Sequence, residues 1–315
     1  MWAILMSYLK NEVLDIEPSD NVAELTCSMS KGGFGARKIG EAIEIFRNII
    51  DDEDCYTFLG VAGALVPCGL RKILSQMISR NYVDLVVSTG ANITHDLALA
   101  FGGKQYQLRD QMISDFELRR KGYVRVYDVC IPSQDFEILE NKLSQILKDL
   151  SEDVYGSYDL ILEIGKKVED KDSIVRNAFQ KNVPIIVPAF IDSIVGLQVW
   201  TLNQNRKIRL DSFKDLSFMI NKQFDLKSQG KRSAALFLGG GVPKNFIMQS
   251  ALTADKPLDY AIQIVTDRPE YGGLSGATLD EAKSWKKVHT KAKICTVNCD
   301  VSIALPIILS AIINK

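Results

Sequence analysis

The chain predicts an α/β fold, a mostly parallel sheet flanked by helices, on three observations. Strand, turn and helix patterns occur twice within about fifty residues, over Tyr56–Met77 and Tyr82–Ala100, which is how parallel strands joined by crossover helices read. Three later apolar, β-branched runs, Ala234–Leu238, Tyr260–Val265 and Ala292–Val297, extend the same pattern. The first of them runs into Gly239–Gly241, a triple-glycine turn. At 315 residues the chain is long enough to bury a large core. It shows no internal repeat, low-complexity tract or long linker, so one domain over 1–315 is the simplest reading, with 1–30 as an N-terminal extension.

Taken in order, Ala36–Ile50 carries Ile39, Ala42, Ile43, Phe46, Ile49 and Ile50 on one helical face, after a flexible entry loop at Gly32–Gly35. Tyr56–Gly60 reads as a strand and Leu65–Met77 as its helix. Tyr82–Val87 is a β-branched strand bounded by Ser88, Thr89 and Gly90, and His95–Ala100 reads as a helix start. The charged stretch Gly103–Tyr127, with Arg109, Asp110, Arg119, Arg120 and Lys121, reads as an irregular excursion or a surface helix. Phe136–Leu150, Ser157–Lys166 and Ser173–Lys181 read as helices and Val183–Val187 as a buried strand ending at Pro188. Ile303–Ile313 is an apolar helix expected to dock on the sheet.

Bulk properties narrow the function classes. The formal net charge is −1, so no global field draws in nucleic acid or an anionic membrane. The acidic run Asp51–Asp54 reads as a solvated turn. Met1–Met6 is apolar but short and lacks a basic flank and a cleavage site, and Met6 is a second possible start. No apolar run reaches the roughly eighteen residues a membrane span requires. The six cysteines form no framework and no zinc pattern, usage that suits a reducing cytoplasm, and no metal site is expected.

Two segments carry chemistry. Glycines after a strand let the backbone turn sharply and approach a pyrophosphate. The triple glycine of Leu236–Lys244 (LFLGGGVPK) lacks the dinucleotide spacing, and by itself a tight turn explains it equally well. Pro243 and Lys244 suit the first turn of a following helix. Further strand ends offer Thr89 with Gly90, Thr266 with Asp267, and Asn298–Asp300, where ligands of open α/β sheets collect; each acidic residue there also suits a helix N-cap. The second segment is Tyr271–Lys287 (YGGLSGATLDEAKSWKK). Thr278–Glu281 predicts a capping box in which Thr278 and Glu281 bond each other's backbone. Trp285 and Lys287 follow. A partly desolvated lysine beside an aromatic can act as an imine-forming nucleophile. A surface helix with a basic last turn is the plainer reading, since Lys283, Lys286 and Lys287 look interchangeable by composition. His95 and His289 are the only histidines. His95, near the proposed site, is a candidate general acid or base; otherwise it is a cap or packing residue.

These segments resemble deoxyhypusine synthase. The resemblance rests on Phe237–Lys244 (FLGGGVPK), Ser275–Trp285 (SGATLDEAKSW) with Lys287, Phe58–Gly60 (FLG), Gly33–Ala36 (GFGA), Ser88–Leu97 (STGANITHDL), and Pro188–Ala189 with Asp192. The blocks keep the family's order from about residue 25 to the C-terminus. The resemblance implies a Rossmann-like fold, a cytoplasmic homotetramer with sites at subunit interfaces, and NAD as a retained cofactor. It implies hydride transfer from spermidine, loss of diaminopropane, an aminobutyl imine on Lys287, transfer to an acceptor amine, and reduction by the retained NADH. Trp285 matches the tryptophan beside the amine and Glu281 an acidic residue near the substrate. Gly239, Gly240, Gly241, Thr89, Thr266, Asp192, Asp300 and Ser302 match nucleotide-site positions, and Gly90 and Gly272 join them as cofactor candidates.

The family's catalytic histidine falls on Asn245, an asparagine four residues later on Gln249, two amine-holding aspartates on Leu197 and Leu274, and an acidic residue near the cofactor on His95. Two lost carboxylates remove charge-assisted bonds of about 1.5–3 kcal/mol each. An unchanged spermidine site is therefore not expected. The acceptor is the lysine of the translation factor 5A precursor or a small diamine such as putrescine, which would make homospermidine. An NAD-binding relative without catalysis is the non-enzyme alternative.

Overall fold

The chain alternates strands with helices so that six strands share one parallel sheet. In the computed structural model, which describes residues 12–109, 113–151, 153–205 and 208–313, the strands in chain order are β1 (Cys55–Val61), β2 (Leu85–Ser88), β3 (Tyr106–Gln107), β4 (Tyr123–Val126), β5 (Val129–Pro132), β6 (Val154–Tyr155), β7 (Ile185–Ile186), β8 (Arg209–Leu210), β9 (Arg232–Leu238), β10 (Leu258–Val265) and β11 (Val288–Asn298). Met1–Met6 and Asp110 lie outside the described residues. The main sheet has the order β11-β10-β9-β1-β2-β7. Every pairing in it is parallel, with Gly60 opposite Val87 on one side and Phe237 on the other. Numbered by their appearance in the chain, these strands run 3-2-1-4-5-6, the order of a Rossmann sheet. The order reverses between β1 and β9, and a crevice opens beyond their carboxyl ends.

The continuous apolar runs follow from burial on both faces. Leu59, Val61, Leu236 and Leu238 pack on one side with Ile39, Ile43 and Phe46 of the helix Phe34–Ile50. Phe58, Ala235 and Phe237 pack on the other with Ile247 and Met248 of the helix Gly241–Thr253. The helix Val301–Ile313 docks on β10 and on the helices Val22–Lys31 and Phe34–Ile50. Val22–Lys31 thus lies against the body of the fold. Among the described residues no helix is long and apolar enough to cross a membrane.

The structure departs from the sequence reading at several places, four of which bear on the site and its surroundings. Leu65–Met77 is not one helix. Pro67 and a left-handed Gly69 (φ +93°) make a wide turn over Val66–Leu70, and the helix proper is Arg71–Ser79. His95 lies inside a helix, because Thr89 caps it and it begins at Gly90. The charged stretch after Gly103 folds into an antiparallel sheet β3-β5-β4 with the helix Asp115–Arg120; the Tyr-Val-Arg-Val alternation of β4 is too short to stand out among charges. The helices Ile194–Leu202 and Ser212–Ser228 have no counterpart above. The first is apolar almost all round and shows no stripe.

A buried ion pair ties together the helices Arg71–Ser79, Gly90–Ala100 and Ile174–Lys181. Asp96 is fully buried and accepts from the Ser173 hydroxyl (2.8 Å) and the Ile174 and Val175 amides (3.1 and 3.0 Å) at the start of the helix Ile174–Lys181. Arg71 Nε donates to it at 2.6 Å. Asp96→Ala leaves Arg71 with Asp170 (2.7 Å) as its remaining carboxylate, strands the two helix amides, and is expected to cost about 3 kcal/mol of stability. Urea unfolding checks this, and a loss below about 1 kcal/mol would contradict it.

Candidate active site

The triple-glycine turn is built by backbone geometry that side chains disfavour. Gly239 and Gly241 have φ of +79° and +64°. A Cβ on Gly240 would sit 2.4 Å from the Ser275 Cα. The helix Gly241–Thr253 then starts with no side-chain cap at Gly240, leaving the first-turn N–H groups to an anion. Across the crevice the helix Gly90–Ala100 starts at Thr89, and a Cβ on Gly90 would sit 2.3 Å from the Ser193 Cβ. Asn92 ties β1 to β2 here. Its Oδ1 accepts from the Leu65 amide (2.8 Å), and its Nδ2 donates to the Gly63 carbonyl (3.2 Å) and Thr89 Oγ1 (3.1 Å). These elements enclose a cavity of about 420 Å³. Asp192, Asp267 and Asp300 line it, and among the described residues no lysine, arginine or histidine does. Backbone N–H groups would hold an anion there, and carboxylates would accept from hydroxyls.

A second cavity, about 290 Å³, lies beside it over the helices Gly241–Thr253 and Leu279–Ser284. Lys287 projects into it from the start of β11. Its backbone is pinned by the bonds Lys287 N–H to Ala282 O (3.0 Å) and Leu258 N–H to Lys287 O (3.1 Å). Lys286 is left-handed (φ +55°), which swings the chain from the short helix into the strand. Lys287 Nζ stands 5.4 Å from the Trp285 ring centroid and donates to Asn245 Oδ1 at 3.4 Å. Burial pushes the Lys287 amine below the ordinary lysine range, and the Glu281 carboxylate opposes that shift. Lys244, in the same cavity, is pushed down to about 8 by burial first, with Lys287 lowering it further and Glu281 raising it. Thr278 Oγ1 accepts from the Glu281 amide (3.0 Å), one arm of the expected capping box, while Glu281 itself lines the cavity.

A family model described as deoxyhypusine synthase matches residues 24–312. The chain belongs to the deoxyhypusine synthase family. It is 40% identical over 297 residues to a Methanosarcina acetivorans protein named probable deoxyhypusine synthase 1, covering 94% of this chain and 92% of that one. It is 37% identical over 301 residues to the Archaeoglobus fulgidus protein of the same name, covering 96% and 97%. A solved candidate deoxyhypusine synthase from Entamoeba histolytica matches with a TM-score of 0.66 at 19% identity, over 96% of each chain. That last likeness is one of fold.

In this member of the deoxyhypusine synthase family, the first cavity gathers Thr89, Gly90, Asp192, Gly239, Gly240, Gly241, Thr266 and Asp300. The second gathers Lys287, Trp285, Glu281, Asn245 and Leu274. Four candidates fall outside both. Gly272 ends the turn Pro269–Tyr271 with φ +68°. The Ser302 amide donates to Asp300 Oδ1 at 2.7 Å, which places it behind that cavity residue. Leu197 stands 57% exposed on the helix Ile194–Leu202. His95 is 8% exposed, edge-on to Phe136 with ring centroids 6.1 Å apart, and burial pushes its pKa down to about 4. It lines neither cavity, and its contact with Phe136 matches the packing alternative. Residues not singled out from the sequence include Gly63, Asn92, Ser275 and Cys299 around the first cavity and Met248 and Ala277 in the second. The Gly-Ala-Leu after β1 was the available signal for Gly63.

Glu281 raises the Lys287 pKa, so removing its charge frees the neutral amine at lower pH. Glu281→Gln is expected to move the midpoint of Lys287 labelling by an amine reagent downward, as read by peptide mass spectrometry across a pH series. An unchanged or raised midpoint would contradict the geometry.

Proposed function

We propose that this chain is an NAD-dependent aminoalkyl transferase that carries the transferred group as an imine on Lys287. The observation that carries this reading is a half-buried lysine, braced by Trp285 and Asn245, in a cavity that borders a glycine-turn nucleotide cavity. The left-handed glycines, the uncapped helix start, and carboxylates without cations fit the pyrophosphate and ribose hydroxyls of NAD. When bound, NAD supplies the hydride acceptor and later the hydride donor.

The residues of the chain do the rest. Glu281 draws in the donor's ammonium group and Trp285 walls its alkyl chain. Burial keeps a share of Lys287 unprotonated. Its lone pair attacks the imine carbon of the oxidised donor. The new C–N bond to Lys287 forms as the bond to the leaving amine breaks, and that amine takes up the proton Lys287 gives. An acceptor amine then repeats the exchange and frees Lys287. Asn245 orients Nζ but cannot relay a proton, because its amide does not titrate.

Family membership favours the lysine of the translation factor 5A precursor as acceptor, and spermidine as donor. A small-diamine acceptor, as in homospermidine synthesis, is favoured by one observation: among the described residues Glu281 is the single carboxylate lining the lysine cavity, and Leu274 stands 52% exposed at its edge. Val242, Leu274 and Trp285, all exposed along the two cavities, support assembly of copies across the site mouth, as in a homotetramer.

Purified protein given NAD and spermidine, with either the factor 5A precursor or putrescine, is expected to yield modified factor or homospermidine by mass spectrometry. Lys287→Ala is expected to lower that rate at least about a thousandfold. Equal activity in the variant would overturn the mechanism. NAD binding without either product would favour the non-catalytic relative.

A further inference from the structure

One pair of buried polar residues is used by neither the nucleotide nor the imine chemistry. Gln263 lies in β10 between the core residues Ile262 and Ile264 and is 1% exposed. Lys244, in the first turn of the helix Gly241–Thr253, is 3% exposed. Burying an amide or an ammonium is costly unless each is bonded. Both are. Lys244 Nζ donates to Gln263 Oε1 at 3.0 Å and to the Ala277 carbonyl. Gln263 Nε2 donates to the carbonyls of Ser275 (2.9 Å) and Gly239 (3.3 Å). The amide orientation is forced, since one end meets an ammonium and the other two carbonyls.

Those carbonyls belong to the walls of the two cavities. Gly239 and Ser275 line the nucleotide cavity, whereas Leu274, Ala277 and Thr278 line the lysine cavity. The segment 272–278 is therefore a common partition. It is close-fitted at two glycines: Gly240 against Ser275, and Gly276, where a Cβ would sit 2.2 Å from the Arg268 carbonyl. It holds no helix or strand of its own. Side-chain bonds from Lys244 and Gln263 tie it to β10 and to the glycine turn.

We propose that Lys244 and Gln263 are a positioning pair that sets the lysine cavity in register with the nucleotide cavity. This rests on the reading of the two cavities as one reaction site. The donor carbon gives up hydride on one side of the partition and bonds Lys287 on the other, so the position of that partition decides whether both steps reach the same carbon. The pair touches neither reacting atom. Lys287 and Glu281 are the charged groups that face Lys244 across the cavity.

The test uses the full chain with Gln263→Glu, Lys244→Met and both changes together. Gln263→Glu keeps the volume and the bond to Lys244 but turns a donor into an oxygen facing two carbonyls. Hydrogen exchange is read on the amides of Gly239–Gly241 and Gly273–Ala277. Each single change is expected to speed exchange about tenfold in both stretches, with the double change no faster than the faster single. Acceleration in one stretch alone, additive acceleration, or none would overturn the pair. In turnover with NAD and spermidine, the single changes are expected to lower kcat at least about tenfold while the NAD Kd and the amine KM move less than about threefold. Raised KM with unchanged kcat would overturn the positioning role. If Lys244→Met does not fold, Gln263→Glu decides alone. A wild type without turnover would sink the transferase reading, while hydrogen exchange would still decide the pairing.

Discussion

The approach of the glycine turn to the backbone at Ser275 is the constraint on which the site depends. A side chain at Gly240 would drive its Cβ to 2.4 Å from the Ser275 Cα, so the two strands of backbone can meet only without one. That contact lies where the strand order reverses between β1 and β9, at the mouth of the crevice that a Rossmann sheet leaves open. It closes the nucleotide cavity on one side. It also presses the segment 272–278 into place as the near wall of the lysine cavity. The Asn92 bonds between β1 and β2 and the Gln263 bonds from β10 brace the same rim from opposite sides.

The two cavities divide the electrostatics in a way that suits their contents. The first cavity sets carboxylates against helix starts, so in the proposed reading the hydroxyls of a nucleotide would find acceptors and its phosphates N–H donors. The lysine cavity holds two amines and one carboxylate. Burial lowers the pKa of both, Lys287 lowers that of Lys244 further, and Glu281 opposes both shifts, so the neutral amine of Lys287 is more accessible than that of a solvated lysine. The same balance leaves little anionic charge for a donor that enters as a polycation. Such a donor needs carboxylates from elsewhere in an assembly, or fewer charges of its own.

Much of this was legible in the sequence where local pattern and final geometry agree. β1, β9 and β10 stand out because burial on both faces makes continuous apolar runs. The glycine turn and Lys287 stand out because their neighbours match family blocks, whereas composition alone made Lys287 one of three equivalent lysines. Structure separates them: Lys287 is pinned at a strand entry, while Lys283 pairs with Asp280 at 2.8 Å on the surface. Gln263 and Asn92 were not legible, since a lone amide in an apolar run carries no mark of which distant carbonyl it will meet. The surroundings of His95 were equally hidden: it follows Thr89 closely in sequence, but the helix carries its ring onto Phe136.

The central claim, that Lys287 carries the transferred group, is tested most directly by borohydride trapping. The protein is incubated with spermidine, with and without NAD, reduced with borohydride, and mapped by peptide mass spectrometry. The account predicts an aminobutyl adduct on Lys287 that forms only with NAD present, and none on Lys244, whose Nζ is held by Gln263 and Ala277. An adduct on Lys244, or one on Lys287 that forms without NAD, would contradict it.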